Sequence, residues 1–135
     1  SDYFQHWLDM GKKLEAEGAK LPSIYCVNWF RKDENGKFVW PGYGENMRVL
    51  AWMLERIEGK ASGQENIFGT TPAHKDINWA GLNFSEAQFN QVTSIDKAAW
   101  QEEMKLHDQL FDQLSYHLPK ELVETKKSLE ARLAN

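Results

Sequence analysis

Trp100, Met104, His107, Phe111, Leu114 and Leu118 recur every three or four residues, and Pro119 follows them at once. That spacing sets six side chains on one face of an α-helix, so a long amphipathic helix is expected from about residue 95 to 118. Proline ends it, because it lacks a backbone N–H and clashes with the preceding turn. The same arithmetic finds further helices. Leu122, Leu129 and Leu133 face inward on a last helix over residues 120–133. Val49, Leu50, Met53, Leu54 and Ile57 mark another, which Asn46 can cap and Gly59 can end. Ser85 and Gln88 form a capping-box pattern for a short one. At the start, Asp2 with Gln5 can cap a helix carrying Phe4, Trp7 and Leu8 on one face, and Gly11 with Lys12 and Lys13 suits its end.

The β signals are confined to residues 24–40. Ile24-Tyr25-Cys26-Val27 is rich in strand formers, is bounded by Pro22, and reads as a short buried strand. Trp29 to Trp40 reads as a hairpin around Asn35-Gly36, the dipeptide that suits a type I′ turn; a two-residue loop would set Glu34 opposite Lys37. Residues 60–84 are polar, with Gly63, Gly69, Pro72 and Gly81, and read as loop. The expected class is therefore α+β and mostly helical, with a short strand and hairpin near residues 24–40 packed with about four to five helices. A length of 135 residues fits one domain with its own core.

The balance of charge narrows the partners. Net charge is −4 and no run of Lys and Arg exceeds two, so the basic stripe of a nucleic-acid-binding domain is missing. No apolar stretch reaches the ~20 residues that span a membrane, and no signal-peptide pattern opens the chain. A cytoplasmic protein is expected. Cys26, the lone cysteine, has no internal disulfide partner and reads as a buried thiol in its apolar run. The chain opens at Ser1 rather than at Met and enters a helical pattern almost at once, so it reads as a piece of a longer protein.

Chemistry gathers between Asn28 and Asn46. Trp29, Phe30, Phe38, Trp40 and Tyr43 lie here with Gly36, Gly42 and Gly44 interleaved. Glycines let backbone approach a partner closely, flat rings offer stacking faces, and asparagine amides can read a polar edge. A planar heteroaromatic ligand would find faces and edge contacts together. From composition alone, the plainer reading is that these rings are a hairpin's own core.

Order and spacing add more. The run Val27-Asn28-Trp29-Phe30-Arg31-Lys32-Asp33, then Asn35-Gly36-Lys37-Phe38, then Trp40-Pro41-Gly42-Tyr43-Gly44-Glu45-Asn46 with Arg48 resembles the guanine-binding segment of the GTP-dependent phosphoenolpyruvate carboxykinases. Weaker similarity at His6-Trp7-Leu8, Leu21-Pro22, Gly69, Pro72, Asp76 and Gly81-Leu82 carries the likeness over residues from about 3 to 82. The resemblance implies that the chain is a single C-terminal piece, 1–135, of the nucleotide-binding domain of a larger α/β enzyme. That enzyme would convert oxaloacetate and GTP to phosphoenolpyruvate, carbon dioxide and GDP, a gluconeogenic reaction. By motif position, Phe30 and Tyr43 would flank the guanine, Phe38 would close an edge, Trp29 would support the pocket and Asn46 would hydrogen-bond the purine. Asn46 has a competing role as helix N-cap. The family commonly has Phe at the place of Tyr43 and Ser at the place of Met47; Tyr keeps a stacking face and adds a hydroxyl.

The chain has no GxxxxGK[ST] phosphate loop, no HExxH and no paired-carboxylate motif in a loop. His6, His74, His107 and His117 are scattered, and His107 on an apolar helix face reads as a hydrogen-bonded core histidine. Arg31 and Lys32 read equally as neighbours of phosphates and as a solvated hairpin edge. The resemblance places the oxaloacetate site, the manganese and magnesium ligands, the phosphate loop and a mobile lid in the missing N-terminal part. No catalytic or metal-binding residue is therefore expected here, and the expected partners are GTP or GDP and the rest of a monomeric parent. Two other readings stay open: an aromatic hairpin that binds a protein or another flat ligand, and a purely structural piece.

Overall fold

Helices form where the apolar stripes lie. The computed structural model describes residues 2–134, with the Asp2 side chain left out, so the cap expected there falls outside the described residues. The elements are α1 (Asp2–Ala16), α2 (Asn46–Ile57), β1 (Gln64–Asn66), β2 (Gly69–Thr71), α3 (Glu86–Thr93), α4 (Lys97–Gln113) and α5 (Lys120–Ala134). Single 3-10 turns stand at Tyr43–Glu45, His74–Asp76 and Ser115–His117. Contacts divide the chain into two compact units. One joins the residues up to 22 with those from 95 onward, and the other is residues 23–94.

In the first unit α4 packs on α5, burying Met104 and Leu133. Asp96 caps α4, its carboxylate accepting the Ala99 N–H at 3.0 Å. The helix stops at Gln113, short of the expected 118, and tightens into the turn Ser115–His117, where the His117 N–H reaches the Leu114 carbonyl at 3.1 Å. Pro119 keeps the helix from resuming, since Leu118 ahead of it is held extended at ψ 122°. Lys126 on α5 pairs with Asp108 of α4 at 2.7 Å and with Glu130 on its own helix. Lys12 of α1 pairs with Glu121 of α5, a hydrogen bond that raises the Lys12 ammonium and lowers the Glu121 carboxyl from their usual ranges. α1 runs on through Gly11 instead of ending there. It closes where the Ala19 N–H returns to the Leu14 carbonyl and the Gly18 N–H to Glu15, both at 2.9 Å.

The second unit has an aromatic core of Trp40, Trp52, Ile77, Phe84 and Phe89. α2 faces it through Trp52, with Val49 and Met53 beside it, while Leu50, Leu54 and Ile57 stay exposed. The capping box of Ser85 and Gln88 forms as expected and starts α3.

The mostly helical class with a small sheet holds, but the sheet is elsewhere. Gln64–Asn66 pairs antiparallel with Gly69–Thr71, in the stretch expected to be loop. Its cross-strand contacts are polar: Thr70 Oγ1 donates to Glu65 at 2.5 Å and Asn66 Nδ2 to Thr71 Oγ1 at 3.2 Å. No apolar alternation marks such strands. Residues 24–27 form no strand, with Ile24 at 69% exposure, Val27 at 48% and Cys26 exposed rather than buried. A strand needs a hydrogen-bonded partner, and no strand pairs with this run among the described residues. Only Tyr25 packs inward, edge-on to Trp52 at 6.2 Å.

Candidate functional site

Residues 28–46 form one face of the second unit, and each bend in them has a local cause. Asn28 Oδ1 accepts the Phe30 N–H at 3.0 Å, an Asx turn that sends neighbouring rings apart. Trp29 turns in against Trp40, with centroids 5.5 Å apart, while Phe30 stays 73% exposed. The hairpin then closes on a three-residue loop, not the expected pair. Asp33 lies opposite Lys37, with its N–H on the Lys37 carbonyl at 2.9 Å and its carbonyl accepting from Gly36 at 3.0 Å. Only Gly36 takes positive φ, at 75°. The Asp33 carboxylate decides this, because it accepts both the Asn35 and the Lys37 N–H at 2.9 Å and so ties off the loop from inside. Lys37 therefore faces Asp33, and Glu34 sits in the loop.

Phe38 returns beside Phe30, ring edge to ring face, at 6.1 Å and 65°. The Lys32 ammonium lies 5.2 Å from the Phe38 centroid. Gly42 has φ 130° and ψ −179°, a conformation open essentially to glycine alone. It delivers Tyr43 on the turn that leads into α2, and that ring is 90% exposed. Phe30, Phe38, Tyr43 and Asn46 line one open cleft of about 700 Å³, together with the buried rings of Trp40 and Phe84. That volume lies in the range of small-molecule sites. The reading of these rings as core holds for Trp40 and in part for Trp29. It fails for Phe30 and Tyr43.

Asn46 is the first residue of α2, and its side chain does not cap the helix. Its Oδ1 accepts the indole N–H of Trp40 at 2.8 Å, and its Nδ2 has no partner among the described residues. Arg31 is committed elsewhere: its guanidinium holds the Val92 carbonyl at 3.1 Å, the Ser94 carbonyl at 2.6 Å and the Ser94 hydroxyl at 2.8 Å. It fastens the hairpin to the end of α3. Arg48 likewise holds Glu45 at 2.5 Å and the carbonyls of Asn78 and Ala80. Lys37 is the charged side chain on the cleft, and no carboxylate, imidazole or thiol lines it among the described residues. All five residues singled out in the sequence, Trp29, Phe30, Phe38, Tyr43 and Asn46, meet at this one cleft. Sequence reasoning missed Asn83, Phe84 and Gln88 as lining residues, since nothing in local spacing ties them to a segment so far upstream.

Exposed stacking faces and a free amide at the wall suit this cleft to a flat, polar-edged ring. Residues 1–132 match the model of the phosphoenolpyruvate carboxykinase C-terminal P-loop domain. The chain is 41% identical over 134 residues, 98% of its length, to phosphoenolpyruvate carboxykinase [GTP] of Treponema pallidum (strain Nichols). It is 41% identical over 97% of its length to the enzyme of that name from Anaeromyxobacter sp. (strain K), and 38% over 98% to that of Corynebacterium jeikeium (strain K411). The chain belongs to the GTP-dependent phosphoenolpyruvate carboxykinase family. It spans 21% of the length of these relatives.

Proposed function

We propose that this chain forms the base-holding wall of the nucleotide site in a larger GTP-dependent phosphoenolpyruvate carboxykinase. That enzyme decarboxylates oxaloacetate and passes the γ-phosphoryl of GTP to the enolate oxygen, giving phosphoenolpyruvate, carbon dioxide and GDP. The observation that carries the reading is the open cleft on which Phe30 and Tyr43 expose their rings while Asn46 keeps a free amide nitrogen. Stacking holds the base at roughly 1–3 kcal/mol per base without choosing among bases. Choice comes from edge groups that the wrong base leaves unpaired, and the Asn46 amide is such a group. Phe38 closes one side, and Trp29 backs the pocket through Trp40.

The phosphates, the manganese and magnesium ions and the oxaloacetate belong, in this reading, to the remainder of the parent. Among the described residues no three His, Cys, Asp or Glu side chains converge to hold a metal. The parent is read as a monomeric, cytoplasmic, gluconeogenic enzyme. Among the described residues no helix is long and apolar enough to cross a membrane.

Phe30→Ala in the complete enzyme tests the site. Loss of one stacking face raises KM for GTP by roughly tenfold or more, while kcat and the melting temperature stay near their original values. An unchanged KM would sink the assignment.

A further inference from the structure

Asn35-Gly36 stands at the tip of the hairpin, and the loop residues Glu34, Asn35 and Gly36 are all exposed. Asn35 donates its backbone N–H to Asp33, but its side-chain amide has no partner among the described residues. The backbone nitrogen that follows an asparagine can close a succinimide ring on the side-chain Cγ. A Cβ on that next residue would crowd the attack, and glycine has none. Elsewhere the chain withholds this condition, since Asn28, Asn46, Asn66, Asn78, Asn83 and Asn90 are followed by Trp, Met, Ile, Trp, Phe and Gln.

The same loop carries a restraint. The attacking atom would be the Gly36 nitrogen, and its N–H is held by the Asp33 carbonyl at 3.0 Å. The Asp33 carboxylate holds the Asn35 and Lys37 N–H groups on either side, both at 2.9 Å. Ring closure needs the nitrogen to lose its proton and swing toward Cγ, so these bonds must open first. We infer that Asn35-Gly36 is a site of self-modification, with water as its co-reactant, and that Asp33 is the latch that sets its rate. The Gly36 nitrogen gives its proton to solvent and bonds to Asn35 Cγ. The Cγ–Nδ2 bond breaks, and Nδ2 takes up a proton and leaves as ammonia. Water then opens the ring. Attack at Cγ leaves aspartate; attack at the Asn35 main-chain carbonyl leaves isoaspartate, with the side-chain methylene now in the main chain. Either product adds a negative charge beside Asp33 and Glu34. The isoaspartyl form also lengthens the loop, so Asp33 no longer closes on Lys37, and the arms that carry Phe30 and Phe38 lose their tie.

The test incubates the complete enzyme in mildly alkaline heavy-oxygen water and follows label by mass spectrometry. Trypsin cuts after Lys32 and Lys37, which isolates residues 33–37 with Asn35 as their one amide side chain. The native enzyme is expected to take up label in this peptide while the peptides holding the other asparagines stay intact. Asp33→Ala, and the chain unfolded in guanidinium chloride, are expected to convert it about tenfold faster. Asn35→Gln, whose ring would be larger, takes up none there. No label in the native enzyme, while the unfolded chain converts, overturns the site. Equal rates in the native enzyme and the folded Asp33→Ala variant overturn the latch. Should that variant fail to fold, equal rates in the native and the unfolded chain do the same. Hydrogen exchange then compares the converted enzyme, separated by its extra charge, with the unconverted one. Faster exchange over residues 31–39 is expected, and unchanged protection overturns the loss of the hairpin tie.

Discussion

The indole N–H of buried Trp40 donates to Asn46 Oδ1 across 2.8 Å, so a core ring fixes the direction of an amide on the cleft wall. Trp40→Phe keeps an aromatic ring among Trp29, Trp79 and Phe84 but releases the amide. The expected outcome is a stability loss of about 1 kcal/mol from the missing hydrogen bond, beyond any repacking. Discrimination between GTP and ATP in the complete enzyme falls as well, because a freely turning amide offers donor and acceptor equally. Should specificity survive intact while the melting temperature drops, the bond is structural and no more.

Arg31 separates two readings that the sequence left level. With three acceptors on Val92 and Ser94, its guanidinium holds the hairpin in place rather than meeting phosphates. Arg31→Lys keeps the charge and loses the fork. It is expected to weaken binding of GMP and of GTP by the same factor, through a loosened Phe30, and to lower stability by about 1–2 kcal/mol. A phosphate-binding arginine would show the opposite pattern, with a loss that grows with the number of phosphates. Calorimetry with both nucleotides decides.

Legibility of this chain in its sequence follows the range of the signal. Met104 and Leu133 are buried because a stripe at helical spacing is a local pattern, and the Ser85 and Gln88 cap is local too. The five cleft residues were legible because one continuous segment carries them. Three features were not. The Asp33 side chain outbid the Asn35-Gly36 preference for a type I′ turn. The β1–β2 pair is held by Thr, Glu and Asn contacts, which leave no apolar alternation to read. The run 24–27 has the composition of a buried strand, but no strand pairs with it among the described residues. Gln88 was visible as a cap and invisible as a cleft residue, since its place there depends on tertiary packing.

Gly63 marks a close approach that no side chain can share. A Cβ built there would stand 2.4 Å from Thr70 Cγ2, 3.1 Å from the Thr71 carbonyl oxygen and 3.3 Å from the Trp52 ring. Gly63→Ala is expected to push the β1–β2 hairpin off Trp52 and to cost about 1–3 kcal/mol by overpacking. Adding Thr70→Ser removes the nearest methyl and keeps the hydroxyl on Glu65, so the pair should recover part of the loss. Additive losses in chemical denaturation would show that the backbone contact with Thr71, rather than the methyl, sets the limit.

Lys126 gives the first unit a dependence on alkaline pH. Hydrogen bonds from its ammonium to Asp108, and then to Glu130, raise its pKa above the ordinary 10.5, against a smaller desolvation effect. In the unfolded chain the group titrates near 10.5; folded, it keeps its proton to higher pH. Its contribution is therefore fully present below about 10.5 and is lost as pH climbs from there through the raised value. Asp108 and Glu130 are 60% and 42% exposed, so solvent screens the pair and the contribution at neutral pH stays near 1 kcal/mol or below. Lys126→Met is expected to be mildly destabilising at about pH 8, with the gap to the unmodified chain closing as pH climbs above 10.5 through the raised value. Lys12 carries a raised ammonium as well, so the gap between the two proteins, rather than either curve alone, isolates Lys126. A gap that stays constant across the alkaline range would mean that Lys126 stabilises α4 on α5 through its aliphatic stem, because packing of that kind does not titrate.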